Sequence, residues 1–270
     1  MIRPFMNPQE HPDGELKALL EEKYHQYHHE SFIEEDPIQI PRMFDDPEDI
    51  EIAGFLAATI AWGQRKTIIS NMNNLLGYMH HSPYEFVMQA GRDDLEDFRV
   101  FKHRTFNGED CIFFLRSLKN IYRHHGGLRS LFEKYYLEHL DLRPALRAFH
   151  EVFFEIPHPE RTRKHVADIR KKSTAKRLNM FLRWMVRPDP AGIDFGLWRQ
   201  ISPRHLYMPL DVHSGKVARA LGLLTRKQND WQAVEELTAR LREMDPQDPV
   251  KYDYALFGMG VFEHGHQWPR

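Results

Sequence analysis

The stretch IEIAGFLAATIAWG, residues 50–63, decides the fold class of this 270-residue chain. Drawn as a helix it is apolar all round, a pattern typical of a helix buried on every side. Asp49 precedes it and is predicted to cap it. Gly63 interrupts the apolar run, and residues 65–79 continue with apolar side chains at helical spacing. The two stretches predict a buried helix followed by an amphipathic one.

Helical periodicity recurs along most of the chain, and no alternating strand pattern with hairpin dipeptides competes with it. The sequence therefore predicts an all-α fold in a single module, residues 1–270. The further predicted helices cover residues 16–27, 82–90, 109–122, 127–140, 141–154, about 173–187, 211–222, 231–244 and 250–262.

The composition is ordinary for a soluble globular protein, with 41% hydrophobic and 28% charged residues. Cys111 is the only cysteine, which excludes a disulfide framework and a four-cysteine zinc or iron–sulfur site within this chain. The start shows no signal-peptide pattern, and the longest apolar run, residues 52–62, is too short to span a bilayer. These features predict a reducing, cytoplasmic compartment.

Positive charge is concentrated in one segment. Ten Lys and Arg residues and one acid, Asp168, lie between Arg161 and Arg187, which gives this segment a formal charge of +9. Because the whole chain carries −2, the remainder carries −11. Such a block is typical of a surface that attracts phosphate backbones, although a solvated basic helix face is the commoner cause of a charge run.

The basic block contains a helix, TAKRLNMFLRWMVR, residues 174–187. One face carries an apolar stripe, and the opposite face carries a basic stripe flanked by Met180 and Trp184. Ser173 or Thr174 is predicted to cap the helix, whose free N–H groups would favour an anion. The basic stripe consists of Lys176, Arg183 and Arg187; the apolar stripe consists of Ala175, Leu178, Phe181, Leu182 and Met185.

Lys176 stands in the first turn of this helix, where a cation is unfavourable unless an anion binds there. The like charges of Lys172, Arg177 and Arg183 would favour its neutral amine, the form that acts as a nucleophile. The alternative is that Lys176 is a solvated surface lysine.

A second stretch, PLDVHSGKVARALGLL, residues 209–224, places Asp211 and His213 at the start of an apolar helical pattern. Asp is among the best N-cap residues, so capping alone explains Asp211. A capping aspartate at a cleft can also present its free oxygen to a substrate. His213 could bind a phosphate or position Asp211, but it shares a helical face with Val217, which favours a partly buried histidine whose hydrogen bonds are satisfied.

Several segments resemble the helix–hairpin–helix DNA glycosylase superfamily. Residues 55–76, FLAATIAWGQRKTIISNMNNLL, are similar to its opening core helix, with Gln64 at the turn. AKRLNMFL, residues 175–182, resembles the helix in which a lysine precedes an asparagine by three positions. PLDVHSGKVARALGL, residues 209–223, resembles the V-D-T-H motif with the catalytic aspartate. KYDYALFGMGV, residues 251–261, is similar to the final apolar helix.

The interval of 35 residues from Lys176 to Asp211 is closer to the archaeal oxidised-guanine glycosylase branch than to the endonuclease III branch. The superfamily hairpin normally reads G-x-G, whereas the equivalent IRKKSTAK, residues 169–176, has no glycine. The chain as a whole also resembles a bacterial family of unassigned activity that carries the motifs LRWMVR, DFGLW, PLDVH and DPVKYDYAL.

The superfamily resemblance implies two helical subdomains flanking a cleft, residues 50–187 and residues 1–49 plus 188–270, and a DNA N-glycosylase with or without lyase activity. It implies Asp211 and Lys176 as the catalytic pair, duplex DNA with a damaged base as partner, and no cofactor or metal. The base pocket or wedge would use Trp62, Trp184 or Trp198. The nucleic-acid contacts would come from Lys171, Lys172, Ser173, Arg177, Arg183, Arg187, His213 and Gln64.

Two other classes of function stay open. A non-catalytic nucleic-acid-binding protein could keep this fold, and the missing hairpin glycines favour it. A metal-dependent hydrolase is suggested by 17 histidines and by the spacing of Asp211 and His213. No H-E-x-x-H or similar spacing accompanies them, and the adjacent histidine pairs point about 100° apart on a helix. Residues 263–266, EHGH, are the remaining weak metal candidate.

Overall fold

A computed structural model describes residues 13–263, except the side chains of residues 13, 32 and 35. This part of the chain is mostly helical, which confirms the all-α class. Its α-helices are α1 (Asp13–Tyr27), α2 (Ser31–Glu35), α3 (Pro47–Thr59), α4 (Arg65–Tyr78), α5 (Pro83–Gln89), α6 (Gly108–His124), α7 (Gly127–His139), α8 (Leu142–Phe153), α9 (Lys176–Val186), α10 (Val212–Ala220), α11 (Trp231–Met244) and α12 (Tyr252–Phe262).

Helix α3 forms the centre of the core, as its sequence predicts. Every residue from 50 to 59 is buried. The helix begins three residues before the predicted start, with Pro47 in its first turn and Asp46 as N-cap residue. Asp49 does not cap α3, because its carboxylate accepts a hydrogen bond from the Tyr84 backbone N–H at 2.7 Å.

One acid lies within this apolar helix. Glu51 is buried and accepts hydrogen bonds from the Trp198 indole N–H and the Tyr122 hydroxyl, each at 2.8 Å. Burial raises the pKa of the Glu51 carboxyl, and the two donors oppose that shift. Trp198 is therefore a structural partner of α3, completely shielded from solvent.

A small antiparallel hairpin was missed by the sequence prediction. Strands β1 (Lys102–His103) and β2 (Phe106–Asn107) pair with Lys102 opposite Asn107. Two residues are too few to show an alternating pattern, so the sequence carries no strand signal here. Arg104 supplies the turn with a positive φ of 54°.

Side-chain caps fix where several helices begin. Asn107 and Asp110 form a capping box at the start of α6, and Asp141 and Asp230 cap α8 and α11. Helix α11 has the predicted bounds. Ser82 precedes α5 without a side-chain capping bond, although Pro83 takes the predicted first position.

The helices pack against one another in three main sets. Helix α12 packs along both α1 and α10, while α3 packs against α9 and α7 packs along α8. The division into residues 50–187 and residues 1–49 plus 188–270 stays a prediction. No helix between residues 13 and 263 is long and apolar enough to cross a membrane.

Two buried arginines at the end of α9 link this helix to α12 and to the segment before it. Asp194, in the loop after α9, accepts from Arg183 Nε at 3.3 Å and from Arg187 Nη1 at 3.1 Å. Arg183 also donates to Asp253 of α12, and Arg187 donates to Asp248 at 2.8 Å. The carboxylates raise the pKa of both guanidinium groups, against the effect of burial. We call these five residues the buried ion network.

We expect Asp194→Asn to destabilise the protein by about 3 kcal/mol, because it leaves two buried guanidinium groups with one carboxylate fewer. Urea unfolding of both proteins measures the difference. Asp93→Asn, at an exposed carboxylate without a side-chain partner among residues 13–263, is the matched control and should change stability by less than about 0.5 kcal/mol. Equal stability of the two variants would contradict the central position of Asp194.

Candidate functional site

A cleft of about 880 Å³ opens where the first turns of α4, α9 and α10 meet the end of α12. Both Asp211 and Lys176 line it, together with aromatic and charged side chains from five separate segments. The structure therefore brings the two residues to one cleft, while the chemical role of each remains a prediction. The other lining side chains include Asp36, Trp62, Arg65, Arg177, Met180, His213, Asn229 and Phe257. We call it the main cleft.

Asp211 caps α10, as its sequence predicts. Its Oδ1 accepts from the backbone N–H groups of His213 and Ser214 at 2.8 and 2.9 Å and from the Ser214 hydroxyl at 3.1 Å. Asn229 donates to the Asp211 carbonyl at 3.2 Å and fixes the backbone. Within residues 13–263, Oδ2 has no hydrogen-bond partner. One carboxylate oxygen thus holds the helix start, and the other stays available in a half-buried position.

Lys176 is the first residue of α9 and is half-buried. Its amine lies 3.7 Å from Met180 Sδ and forms no ion pair with a carboxylate of the described chain. The expected crowding by like charges is wrong for Arg183, because the buried ion network neutralises that guanidinium. Lys176 thus lies beside an apolar thioether without an ion-pair partner, and its role as a nucleophile remains a prediction.

Two further carboxyl groups lie close to this amine. Burial raises the pKa of Asp36, and the Ile38 N–H and the charges of Arg65, Arg183 and Lys176 oppose that shift. Burial raises the pKa of Asp253 to about 6; the Arg183 and Lys176 cations oppose the shift, and the Asp211 charge adds to it. The positive charge of Lys176 therefore acts on carboxyl groups of two other segments, those of Asp36 and Asp253.

Arg177 is a cation without a carboxylate partner in the part of the chain described. Its guanidinium lies 4.8 Å from the centre of the Trp62 ring and donates to the Thr59 carbonyl. Burial lowers the pKa of Arg177 to about 10, which leaves it charged at neutral pH. An uncompensated buried cation is costly, and an anion in the cleft would offset that cost.

The start of α9 lacks the expected side-chain cap. Ala175, not Ser173 or Thr174, is the N-cap residue, and it caps no N–H group. Ser173 instead accepts from the Ala175 N–H at 3.2 Å. Lys172 and Ala175 have positive φ angles of 62° and 48°, so this loop takes, without glycine, the backbone region that glycine favours.

A second, smaller pocket of about 140 Å³ lies against this helix start. Lys176 and Arg177 line both it and the main cleft, and His165 and Ser173 line the small pocket. Uncapped N–H groups and a cation at one helix N-terminus are the features that bind anions. The pocket therefore offers a place for an anion beside the main cleft.

Four residues predicted to contact DNA or to act as a wedge are buried inside the protein. Arg183 and Arg187 are 4% and 2% exposed and bind carboxylates, so the predicted exposed basic stripe is wrong. Trp184 and Trp198 are completely shielded, which excludes both as a wedge in this conformation. The error arose because helical projection separates the faces of a helix but does not show that α9 is covered on nearly all sides.

The remaining predicted contacts are accessible. Lys171, Lys172 and Gln64 are exposed, the last at the turn into α4 and outside the lining of the main cleft. His213 is exposed and lines the cleft with its ring centre 6.3 Å from that of Phe257, so its predicted partial burial is wrong. Trp62 is half-buried in the cleft wall, where a wedge or stacking partner is expected.

Sequence reasoning missed Asp36, Arg65, Asn229 and Phe257, which also line the main cleft. Asp36 and Asn229 resemble ordinary turn residues, and Phe257 fits an apolar helix, so nothing in the local patterns distinguishes them. Arg65 lies over the Phe257 ring at 5.4 Å. A cation at the start of α4, where it is unfavourable, is the one available signal.

Among the side chains that the structure describes, no three from His, Cys, Asp or Glu group around one point that could hold a metal ion. Of the EHGH candidate, Glu263 binds Lys23 and the Tyr27 hydroxyl. Residues 264–266 lie outside the described range.

The chain belongs to the family described as "Protein of unknown function (DUF2400)", whose model matches residues 36–262. The match begins at Asp36 and contains every residue of the main cleft. No curated protein and no solved structure matches the chain.

The raised pKa of Asp253 predicts a measurable pH dependence. An unfolded Asp releases its proton near pH 4, whereas folded Asp253 releases it near pH 6. The contribution of this group to stability is fully present below pH 4 and is lost as the pH rises through 6, by on the order of 3 kcal/mol. Asp253→Asn should remove that loss from urea-unfolding profiles between pH 4 and 7. Parallel profiles of the variant and the wild type would contradict the assignment.

Proposed function

We propose that the protein is a DNA base-excision N-glycosylase with lyase activity, acting on a damaged base extruded into the main cleft. The observation that supports this most directly is the meeting of Asp211 and Lys176 in one cleft, where Oδ2 of the aspartate has no hydrogen-bond partner and the amine of the lysine has no ion-pair partner among the described residues. A carboxylate and an amine are the two groups that glycosidic cleavage with covalent trapping requires.

The cleft suits an extruded nucleotide in size and in lining. Its volume of about 880 Å³ lies within the range of small-molecule sites. Trp62 and Phe257 supply aromatic faces for a base, and Asp36 and Asn229 supply polar groups for its edge. Cations over both rings, Arg177 and Arg65, favour an electron-rich or anionic substrate.

The proposed reaction begins with Asp211. As the bond between C1′ and the base nitrogen breaks, its electron pair leaves with the base, which takes up a proton, and positive charge grows on the sugar. The Asp211 carboxylate stabilises that charge. The Lys176 amine then forms a C–N bond to C1′, and its surplus proton passes to Asp211.

The covalent adduct explains the lyase step. Opening of the sugar ring moves the C1′–O4′ electrons to O4′, which takes a proton, and leaves a Schiff base between Lys176 and C1′. Removal of a C2′ proton then expels the 3′-phosphate and cleaves the strand. Asp211 alone, with water as nucleophile, would give base removal without cleavage.

The DNA backbone has suitable partners beside the cleft. Lys164, Lys171 and Lys172 are exposed and have no carboxylate partner in the described chain, and the uncapped start of α9 follows them. Arg161 and Arg170 are engaged by acids of the protein. Fewer basic side chains are therefore available to contact DNA than the formal charge of +9 on this segment suggests.

A non-catalytic nucleic-acid-binding protein is the second candidate. Exposed Lys171 and Lys172 beside a helix start favour it, because these features bind phosphate without any chemistry. It differs from the glycosylase in one respect: Asp211 and Lys176 would have no effect on the bases or strands of bound DNA.

Trapping with borohydride tests the nucleophile. Wild-type protein incubated with duplexes bearing oxidised, deaminated or alkylated bases should form a reduced covalent adduct, because borohydride fixes the Schiff base. Lys176→Gln should abolish the adduct. Asp211→Asn should reduce base release at least about 100-fold while retaining the cap, since Asn caps as well as Asp.

Lys66→Gln is the matched control, because Lys66 is exposed on α4 and does not line the main cleft. It should form the adduct at the wild-type rate. No adduct and no base release across the whole panel, with DNA binding intact, would overturn the glycosylase in favour of the binding protein.

Salt dependence tests the DNA contact. Lys171→Ser and Lys172→Ser should each weaken binding and lower the slope of log affinity against log salt by about one, because each removes a phosphate contact. Fluorescence anisotropy of a labelled duplex measures the slope. Lys134→Ser, at an exposed lysine of α7, should leave it unchanged. Equal effects of all three substitutions would contradict a contact localised before α9.

A further inference from the structure

A second polar cleft, of about 510 Å³, lies where the start of α8, the turn at residues 203–205 and the end of α11 meet. It shares no lining residue with the main cleft. Arg204, His205 and Arg242 project from two segments onto it, and Asp141 is the acid that lines it. We call it the arginine cleft.

Arg242 is fixed by the backbone. Its Nε donates to the Arg204 carbonyl at 2.9 Å and its Nη2 to the Leu206 carbonyl at 3.1 Å, and its guanidinium lies 5.2 Å from the centre of the Tyr207 ring. It has no carboxylate partner within residues 13–263. A guanidinium held in this way presents its remaining N–H groups at little entropic cost.

Tyr136 orients the His205 ring. The Tyr136 hydroxyl oxygen accepts from the Ser202 N–H at 3.2 Å and lies 2.8 Å from His205 Nδ1, to which the hydroxyl hydrogen can donate. A neutral His205 then carries its proton on Nε2. Burial lowers the pKa of His205, and the charges of Arg204 and Arg242 lower it further, which keeps the ring neutral at pH 7.

The acid of this cleft is already engaged. Asp141 accepts from Arg143 Nε at 2.6 Å, from the Arg143 backbone N–H at 3.0 Å and from the Tyr207 hydroxyl at 3.0 Å. Arg204 is exposed and has no acidic partner in the described chain. Two arginines therefore retain uncompensated charge beside a fixed N–H donor.

We propose that Arg204, His205 and Arg242 form a binding site for a phosphate group, separate from the main cleft. The guanidinium groups would bind phosphate oxygens through charge-assisted hydrogen bonds, and His205 Nε2 would donate a further one. A phosphate dianion fits better than a single carboxylate, because donors from three separate side chains line one concave surface. The phosphate belongs either to a small phosphorylated compound or to a nucleic-acid backbone.

Titration calorimetry with inorganic phosphate and with pyrophosphate, at constant ionic strength against chloride, tests the site. Wild-type protein should bind both saturably. Arg204→Met should weaken binding at least about fivefold, because it removes one charged donor but keeps the carbonyl that holds Arg242. Arg199→Met removes an exposed arginine outside this cleft and should not change the affinity.

A shift of the His205 ring signals in the histidine NMR spectrum, on addition of phosphate, gives a second readout that does not depend on any substitution. Absence of phosphate binding, or equal weakening by Arg204→Met and Arg199→Met, overturns the proposal.

A competition experiment identifies the source of the phosphate. If phosphate displaces a labelled oligonucleotide and Arg204→Met weakens oligonucleotide binding, the source is a nucleic-acid backbone. If phosphate binds and the oligonucleotide does not compete, the source is a small phosphorylated compound. Both outcomes support the site.

Discussion

The structure depends on two arginines buried without loss of their charge. Arg183 lies in the last turn of α9 and Arg187 directly follows this helix, and Asp194 accepts from both. Arg187 also binds Asp248, in the segment before α12, and Arg183 also binds Asp253, in α12 itself. Because buried charges are costly unless fully paired, the loop after α9 and the start of α12 are held in one arrangement. Helix α10 packs along α12, and the starts of α9 and α10 both line the main cleft.

The main cleft follows from this constraint. Lys176 lies two turns before Arg183 on the same helix, and Asp253, which binds Arg183, lies in the first turn of α12. The end of α12 also lines the cleft, with Phe257 and Val261. The network thus supports the walls of the cleft from behind, since none of its five residues lines the cleft. Arg183, which was predicted to contact DNA, instead binds Asp253 and supports the site from inside the protein.

The sequence predicted the fold class because helical periodicity and buried apolar runs are local properties. Helix α11 and the burial of α3 could be predicted from side-chain spacing alone. The short hairpin and the true start of α9 could not, since neither has a local pattern of its own. The left-handed Lys172 and Ala175 are the clearest case, because tertiary packing overrides a strong conformational preference there.

The candidate site was predictable in part for the same reason. Asp211 and Lys176 stand in motifs, and the structure places both in one cleft. Whether a basic side chain faces solvent or a buried acid depends on which residues distant in the chain lie against it, so Arg183, Arg187 and Lys171 look alike in sequence. Asp36 joins the cleft from a segment 140 residues before Lys176, a distance that no local pattern spans.

The central claim is that the cleft between Asp211 and Lys176 receives an extruded nucleotide. A crystal structure of the protein bound to a duplex with a tetrahydrofuran abasic-site analogue tests it most directly. The account predicts that the abasic sugar lies in the main cleft, within hydrogen-bond distance of Asp211 Oδ2 and close to the Lys176 amine. Duplex bound elsewhere, with this cleft empty of the sugar, would contradict it.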